Sequence, residues 1–225
     1  FVAGAHQKGF DRIVLAEVNP ELVAAIGKAG AITVNTANLS GVRSDRYDRV
    51  EIYNPLTADG LAALTDCAKA ADVINTALPG TRFYPQCAAW LRQGFEQAPA
   101  RVRYLYTSEN STTAARELAA AVGGGFRHHY LDTVIGKMSK VFAAGEGGLP
   151  PLAPGAAAGH LVEEFNTIYS SAAPGLEEFA PAGLYQKADL HPFEEAKLYG
   201  HNAAHCVLGL ALREAGASSM SEAVK

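Results

Sequence analysis

The chain has 225 residues, 19 basic and 23 acidic side chains for a formal net charge of −4, and 48% apolar residues. Such a composition is too apolar for a disordered chain, and its mildly acidic balance speaks against the basic face that nucleic acid requires. No run approaches the roughly 18 apolar residues of a membrane span. Three scattered cysteines, Cys67, Cys87 and Cys206, read as buried free thiols of a reducing, cytoplasmic compartment rather than as a disulfide framework.

Phe1 to Lys8 reads as the end of a helix closed by Gly9. A helix that begins in its own interior leads us to expect that earlier residues lie outside this chain. Asp11 to Glu17 is an apolar run with β-branched Ile13 and Val14, predicting a strand buried on both faces. Asn19-Pro20 opens a helix running to about Lys28. Ile32–Asn35 and Val50–Tyr53 are short strand candidates around a polar turn, and Leu61 to Ala71 is helical. Ala71 to Leu78 is a strand ended by Pro79-Gly80, Tyr84 to Phe95 a helix, Val102 to Thr107 a strand, and Ser111 to Ala121 a helix. Alternation of this kind predicts βαβ units and a parallel sheet. After Gly123-Gly124-Gly125 the pattern changes. Helices are expected over Gly159 to Ser170 and Pro192 to Ala215, with a boundary between residues 125 and 148.

Glu17 stands at the carboxyl end of the first strand. In a dinucleotide-binding sheet an acidic group there accepts hydrogen bonds from the adenosine ribose hydroxyls and repels a 2′-phosphate, which favours NAD. A solvated carboxylate near a helix N-terminus is the alternative. The fingerprint G-x-G-x-x-G belongs about 20 residues upstream, before Phe1. In the helix opened by Pro192, with about 100° per residue and Lys197 at zero, Glu194 falls near 60°, His205 near 80° and Asn202 near 140°. Four polar groups thus share one side of a helix whose continuation, Cys206 to Leu212, is apolar almost all round and expected to be buried. His201 and His205 have a zinc-ligand spacing, but Asn202 stands where a metalloprotease needs Glu, and no metal is expected. His128-His129 reads as a surface pair. Ser108-Glu109-Asn110 follows the third strand, where Asn110 can meet a substrate oxygen or Ser108 and Asn110 can cap the next helix.

The spacing Lys197, Asn202, His205 resembles the motif of the polyol-specific long-chain dehydrogenases, and within them the mannitol-1-phosphate 5-dehydrogenase-like branch. Ala16-Glu17-Val18-Asn19, Ser108-Glu109-Asn110, Val162-Glu163-Glu164-Phe165 and Asp189-Leu190-His191-Pro192-Phe193 match in the family's order. The resemblance implies an α/β chain: a Rossmann-type NAD-binding domain over 1–130, lacking its first strand and glycine loop, and a mainly helical substrate domain over 131–225. It implies Lys197 as general base, Asn202 and Asn110 polarising the carbinol oxygen, His205 orienting the substrate and Glu194 on the proton path. Glu17, Asn19, Thr76, Ala77 and Glu109 would line the NAD site. The substrate would be a polyol or polyol phosphate, with Lys137 and Lys187 as candidate phosphate contacts. A uronate reductase or a nucleotide-sensing relative without turnover are the alternatives. Where relatives read Val-Asp-Arg-Ile, this chain has Ile135-Gly136-Lys137-Met138.

Overall fold

The computed structural model describes residues 1–137, 139–164 and 167–217. Met138 and Phe165, each part of a motif read above, lie outside the described residues. In chain order the elements are α1 (Val2–Lys8), β1 (Ile13–Ala16), α2 (Pro20–Ala29), β2 (Ala31–Asn38), β3 (Gly41–Asp48), β4 (Val50–Tyr53), α3 (Ala58–Ala70), β5 (Val73–Thr76), α4 (Tyr84–Glu96), β6 (Arg103–Thr107), α5 (Ala114–Val122), β7 (His128–Ile135), β8 (Ser139–Ala143), β9 (Ala158–Glu163), β10 (Ile168–Ser171), α6 (Leu176–Phe179), β11 (Leu184–Lys187), α7 (His191–Glu195), a π-helical turn (Ala196–Asn202) and α8 (Ala203–Glu214).

Local chemistry explains the boundaries. Gly9 closes α1 in the left-handed region at φ 88°, which costs glycine little. Asn19 caps α2 by accepting from the backbone N–H of Glu21 and Leu22, with Pro20 in the first turn. In α4, a Cβ on Gly94 would stand 2.5 Å from the Thr65 carbonyl oxygen and 2.7 Å from the Ala68 Cβ, so glycine lets α3 and α4 touch backbone to backbone.

The strands form three ladders. β5, β6 and β7 run parallel, and β7 continues into antiparallel β10 with β11 outside it. β1 pairs in parallel with β4. The hairpin β2–β3 joins β9 and β8 in a third sheet. The fully buried strand is β6, every residue of which is covered. One face packs on Leu91, Phe95 and Leu118 of α4 and α5, the other on Leu131, Ala173 and Leu176. In β1 only Ile13 is buried, contrary to the two-sided burial expected of it, because among the described residues β1 has a partner along one edge only. Its other edge faces a cavity of about 550 Å3, lined by Val14 and Ala16 of β1 and by Val73, Ile74 and Asn75 of β5. Among the described residues β5 likewise pairs only with β6. The sequence β4, β1, cavity, β5, β6, β7 follows the dinucleotide-binding order 3-2-1-4-5-6, with the cavity at the position of the first strand.

Four expectations are corrected. The segment 159–170, read as a helix, contains β9 and β10, and the regular elements of 131–187 are strands more than helices, so helices dominate only from His191 onward. The helix after Asn202 is not buried: Val207 is 66% and Leu210 58% exposed, because no described element other than the π turn covers it. Cys206 on that helix is exposed too. His128 and His129 are not a surface pair. The His128 ring lies 4.4 Å from Phe95 and 5.1 Å from Phe126 between centroids, and His129 stacks on Tyr104 at 5.3 Å.

Both ring nitrogens of His128 lack a hydrogen-bond partner among the described residues. Burial, helped by Arg103, pulls its pKa down to about 4, below the ordinary value near 6.5. The folded state therefore resists a proton that the unfolded chain accepts. This contribution to stability is complete above pH 6.5 and is lost as the pH falls toward about 4. His128→Phe is expected to flatten the fall of stability across that window in urea titrations; an unchanged slope would show that His128 is not its source.

Candidate active site

The site is built at the carboxyl ends of β5 and β6. Parallel strands leave their ligand-binding crevice there, where the loops diverge. Thr76 ends β5 and Thr107 ends β6, paired with each other in the ladder. The loop after β6 turns tightly, the Ser111 N–H donating to the Glu109 carbonyl oxygen at 2.8 Å, with Asn110 at the apex of a three-residue turn. Asn110 is exposed, and a cavity of about 250 Å3 opens beside it, lined also by Gly80, Arg82 and Ser111.

Lys197 arrives from 87 residues further along the chain, and its Nζ donates to Asn110 Oδ1 at 3.1 Å. An ammonium or amine nitrogen meeting the amide this way fixes the amide's orientation: the oxygen accepts, leaving the Asn110 NH2 free to donate elsewhere. Lys197 is half-buried, and burial pushes its pKa below the ordinary lysine range. It sits on a π-helical turn rather than on the regular helix the sequence predicts. In such a turn the backbone closes from i to i+5. Lys197 and Asn202 are thereby one turn apart, closer in direction than the 140° of an α-helix.

The other members of the motif are less engaged. Asn202 and His205 make no hydrogen bond to Lys197 or Asn110 among the described residues, and His205 stacks on His201 with ring centroids 4.5 Å apart. Glu194 is largely covered and stands 3.8 Å from His191 Nδ1. Lys187, a candidate phosphate contact, lies over the rings of Tyr169 and Phe193 at 5.0 and 4.9 Å, the two rings packing on each other at 4.3 Å. Lys137 is half-buried, with burial lowering its pKa.

Of the residues expected at a cofactor, Glu17 follows β1 and receives the Asn19 N–H on Oε1 at 2.9 Å. Its other oxygen has no partner among the described residues, as an acceptor for a diol would need. Asn19 spends its side-chain oxygen on the cap of α2. Ala77 is exposed at the mouth of the loop after β5. Thr76 and Glu109 face one another instead. Glu109, 6% exposed, accepts from the Thr76 hydroxyl at 2.9 Å, the Leu78 N–H at 2.8 Å and the Tyr84 hydroxyl at 2.5 Å. Tyr84 was not anticipated. Its one signal in the sequence is an aromatic residue opening a helix directly behind the Pro79-Gly80 loop.

Two solved dehydrogenases share this fold. A D-sorbitol dehydrogenase in its substrate-free form superposes with a TM-score of 0.59 at 12% identity, over 88% of this chain and 52% of that one. The mannitol 2-dehydrogenase of Pseudomonas fluorescens, in ternary complex with NAD and D-mannitol, gives 0.58 at 12% identity, over 87% and 51%. The chain spans about half the length of each. No family model matches it, and no curated protein matches it in sequence.

Proposed function

We propose that the chain carries the NAD site and the catalytic lysine of an oxidoreductase that interconverts a polyol, or its phosphate, and the matching ketose. The observation that carries the reading is the contact of Lys197 Nζ with Asn110 Oδ1 at the carboxyl end of β6. It joins the motif lysine to the crevice where a parallel sheet of this order receives a nucleotide. The fold shared with the two polyol dehydrogenases supports it. We place the nucleotide on the β1–β7 part and the base on the helical segment that begins at His191.

The residues present suit NAD in part. Glu17 has a free carboxylate oxygen for the ribose hydroxyls, and its charge disfavours a 2′-phosphate, while a glycine loop for the pyrophosphate is not among the described residues. NAD, when bound, supplies the hydride acceptor. The chain's own work is the proton. A half-buried lysine with a lowered pKa presents a larger fraction of free amine at neutral pH, so Lys197 can take the hydroxyl proton of a carbinol. The Asn110 NH2 group can donate to the oxygen as it gains negative charge. Asn202, one π turn from Lys197, is the second donor we assign, with His205 and Glu194 behind it. Arg82 lines the adjoining cavity beside Glu109 and is the contact we assign to the phosphate of a phosphorylated polyol.

The test is the near-ultraviolet absorbance of reduced nicotinamide, with NAD and a panel of free and phosphorylated hexitols. Turnover of mannitol 1-phosphate above mannitol supports the reading. Binding of reduced cofactor without turnover of any polyol overturns it in favour of a nucleotide sensor. Glu17→Ala is expected to narrow the preference for NAD over NADP by at least about tenfold, roughly 1.4 kcal/mol. An unchanged ratio of kcat/KM values for the two cofactors removes Glu17 from the ribose site.

A further inference from the structure

We propose that Glu109 is the positioning residue of this site: its buried carboxylate latches the loop after β5 and the start of α4 to the loop after β6, and so aims Asn110 at Lys197. The proposal rests on reading Lys197 and Asn110 as the working pair. It assigns Glu109 a place behind that pair rather than on a ligand.

Three donors from three separate stretches converge on one carboxylate. Thr76 is the last residue of β5, Leu78 lies in the loop beyond it, and Tyr84 begins α4. Thr76 and Tyr84 are 7% and 1% exposed, so neither hydroxyl has bulk water as an alternative acceptor. A carboxylate only accepts and matches three donors without conflict, whereas an amide would turn an NH2 toward one of them. Buried charge-assisted hydrogen bonds of this kind are the strong ones. The same loops are stitched beside the carboxylate by Ser108, whose N–H donates to the Thr76 carbonyl oxygen at 2.9 Å and whose hydroxyl donates to Asn75 Oδ1 at 2.7 Å.

The latch reaches the chemistry through the backbone. Glu109 and Asn110 are neighbours, and the bond from the Ser111 N–H to the Glu109 carbonyl closes the turn about Asn110. With the Glu109 side chain pinned on the β5 side, the direction of the next side chain is set. That side chain accepts from Lys197 Nζ. Released, the turn is free to swing, and the amide leaves the amine.

The experiment needs no substrate. Acetylation of Lys197 by an amine-reactive ester is followed across pH, by peptide mass spectrometry, in the 225-residue protein. Asn110→Ala, which removes the partner outright, is expected to change the Lys197 rate roughly threefold or more, the lower end of coupling within one network. Glu109→Ala is expected to reproduce most of that change, Tyr84→Phe part of it, and Glu109→Ala with Asn110→Ala no more than Asn110→Ala alone. Glu109→Gln, which keeps the shape, and Tyr84→Phe carry the test if Glu109→Ala does not fold. Leu118→Ala, in the core, is the control for loss of stability as such. Lys197 rates in the Glu109 and Tyr84 variants that match wild type, or that Leu118→Ala reproduces, overturn the proposal, as does an Asn110→Ala rate equal to wild type. Absence of turnover on every polyol, with the coupling intact, refutes the dehydrogenase reading and leaves the latch standing.

Discussion

Lys197→Ala is expected to lower kcat for NAD-linked polyol oxidation by about a hundred- to ten-thousand-fold, the usual contribution of a positioned general base, with the affinity for reduced cofactor nearly unchanged. Among the described residues the hydrogen bond of Lys197 goes to Asn110 in the loop after β6, so its removal is expected to leave the nucleotide crevice standing. The pH profile distinguishes a base from a binding group. Burial lowers the Lys197 pKa, so wild-type activity rises as the pH climbs through that lowered value and the amine loses its proton. The limb should vanish in the alanine variant. A variant with wild-type kcat, or one that loses activity but keeps the limb, places the base elsewhere.

Arg103→Ala is expected to destabilise the fold by about 3–5 kcal/mol, since several buried acceptors lose their donor at once and a cavity opens. Arg103 opens β6 and is fully buried. Its Nε donates to the Ala68 carbonyl at 3.1 Å, Nη2 to Lys69 at 2.6 Å, and Nη1 to Ala98 and Arg101 at 3.1 and 3.3 Å, while the guanidinium lies 4.8 Å over the Phe95 ring. Ala68 and Lys69 are in the last turn of α3, whose carbonyls have no partner within the helix and carry the negative end of its dipole. One planar cation thus stands in for a C-terminal cap, ties α3 to the loop after α4, and anchors the fully buried strand β6. Lysine cannot fork in this way, so Arg103→Lys should recover only part of the loss. A melting temperature for Arg103→Ala within about 2 °C of wild type, against the roughly 10 °C implied here, would show the carbonyls to be satisfied by water.

Apart from β3, the elements of the first 122 residues are legible in the sequence because each apolar run there is bracketed by a cap, a Gly or a Pro. Asn19-Pro20 and Pro79-Gly80 mark their boundaries within a residue or two. Beyond the glycine triplet, local signals mislead. Leu161, Phe165 and Ile168 repeat at helical spacing, yet β9 exists because Asn35 to Ala37 of β2 offer it a ladder, and β10 because Thr133 to Ile135 of β7 do. Those partners lie far away in sequence, and no local periodicity reports them. β3 reads as a polar turn because Gly41–Asp48 has no apolar face. In the site, the Lys197 motif and the loop holding Asn110 were both visible, but their contact is a tertiary fact. The sealing of Glu109 by Tyr84 was invisible, since a buried carboxylate and a ligand-binding one look alike in sequence.

The treatment of exposed strand edges differs across the molecule. On β3 the rim carries Arg43 against Asp45 and Arg46 against Asp48, charges that repel a visiting strand. The two edges that flank the 550 Å3 cavity mix both kinds of lining: Val14, Ala16, Val73 and Ile74 face it beside Lys8, Arg12, Asp72 and Glu178, and among the described residues no strand pairs with either edge on that side. Any extended apolar peptide that enters can zip along two ladders at once.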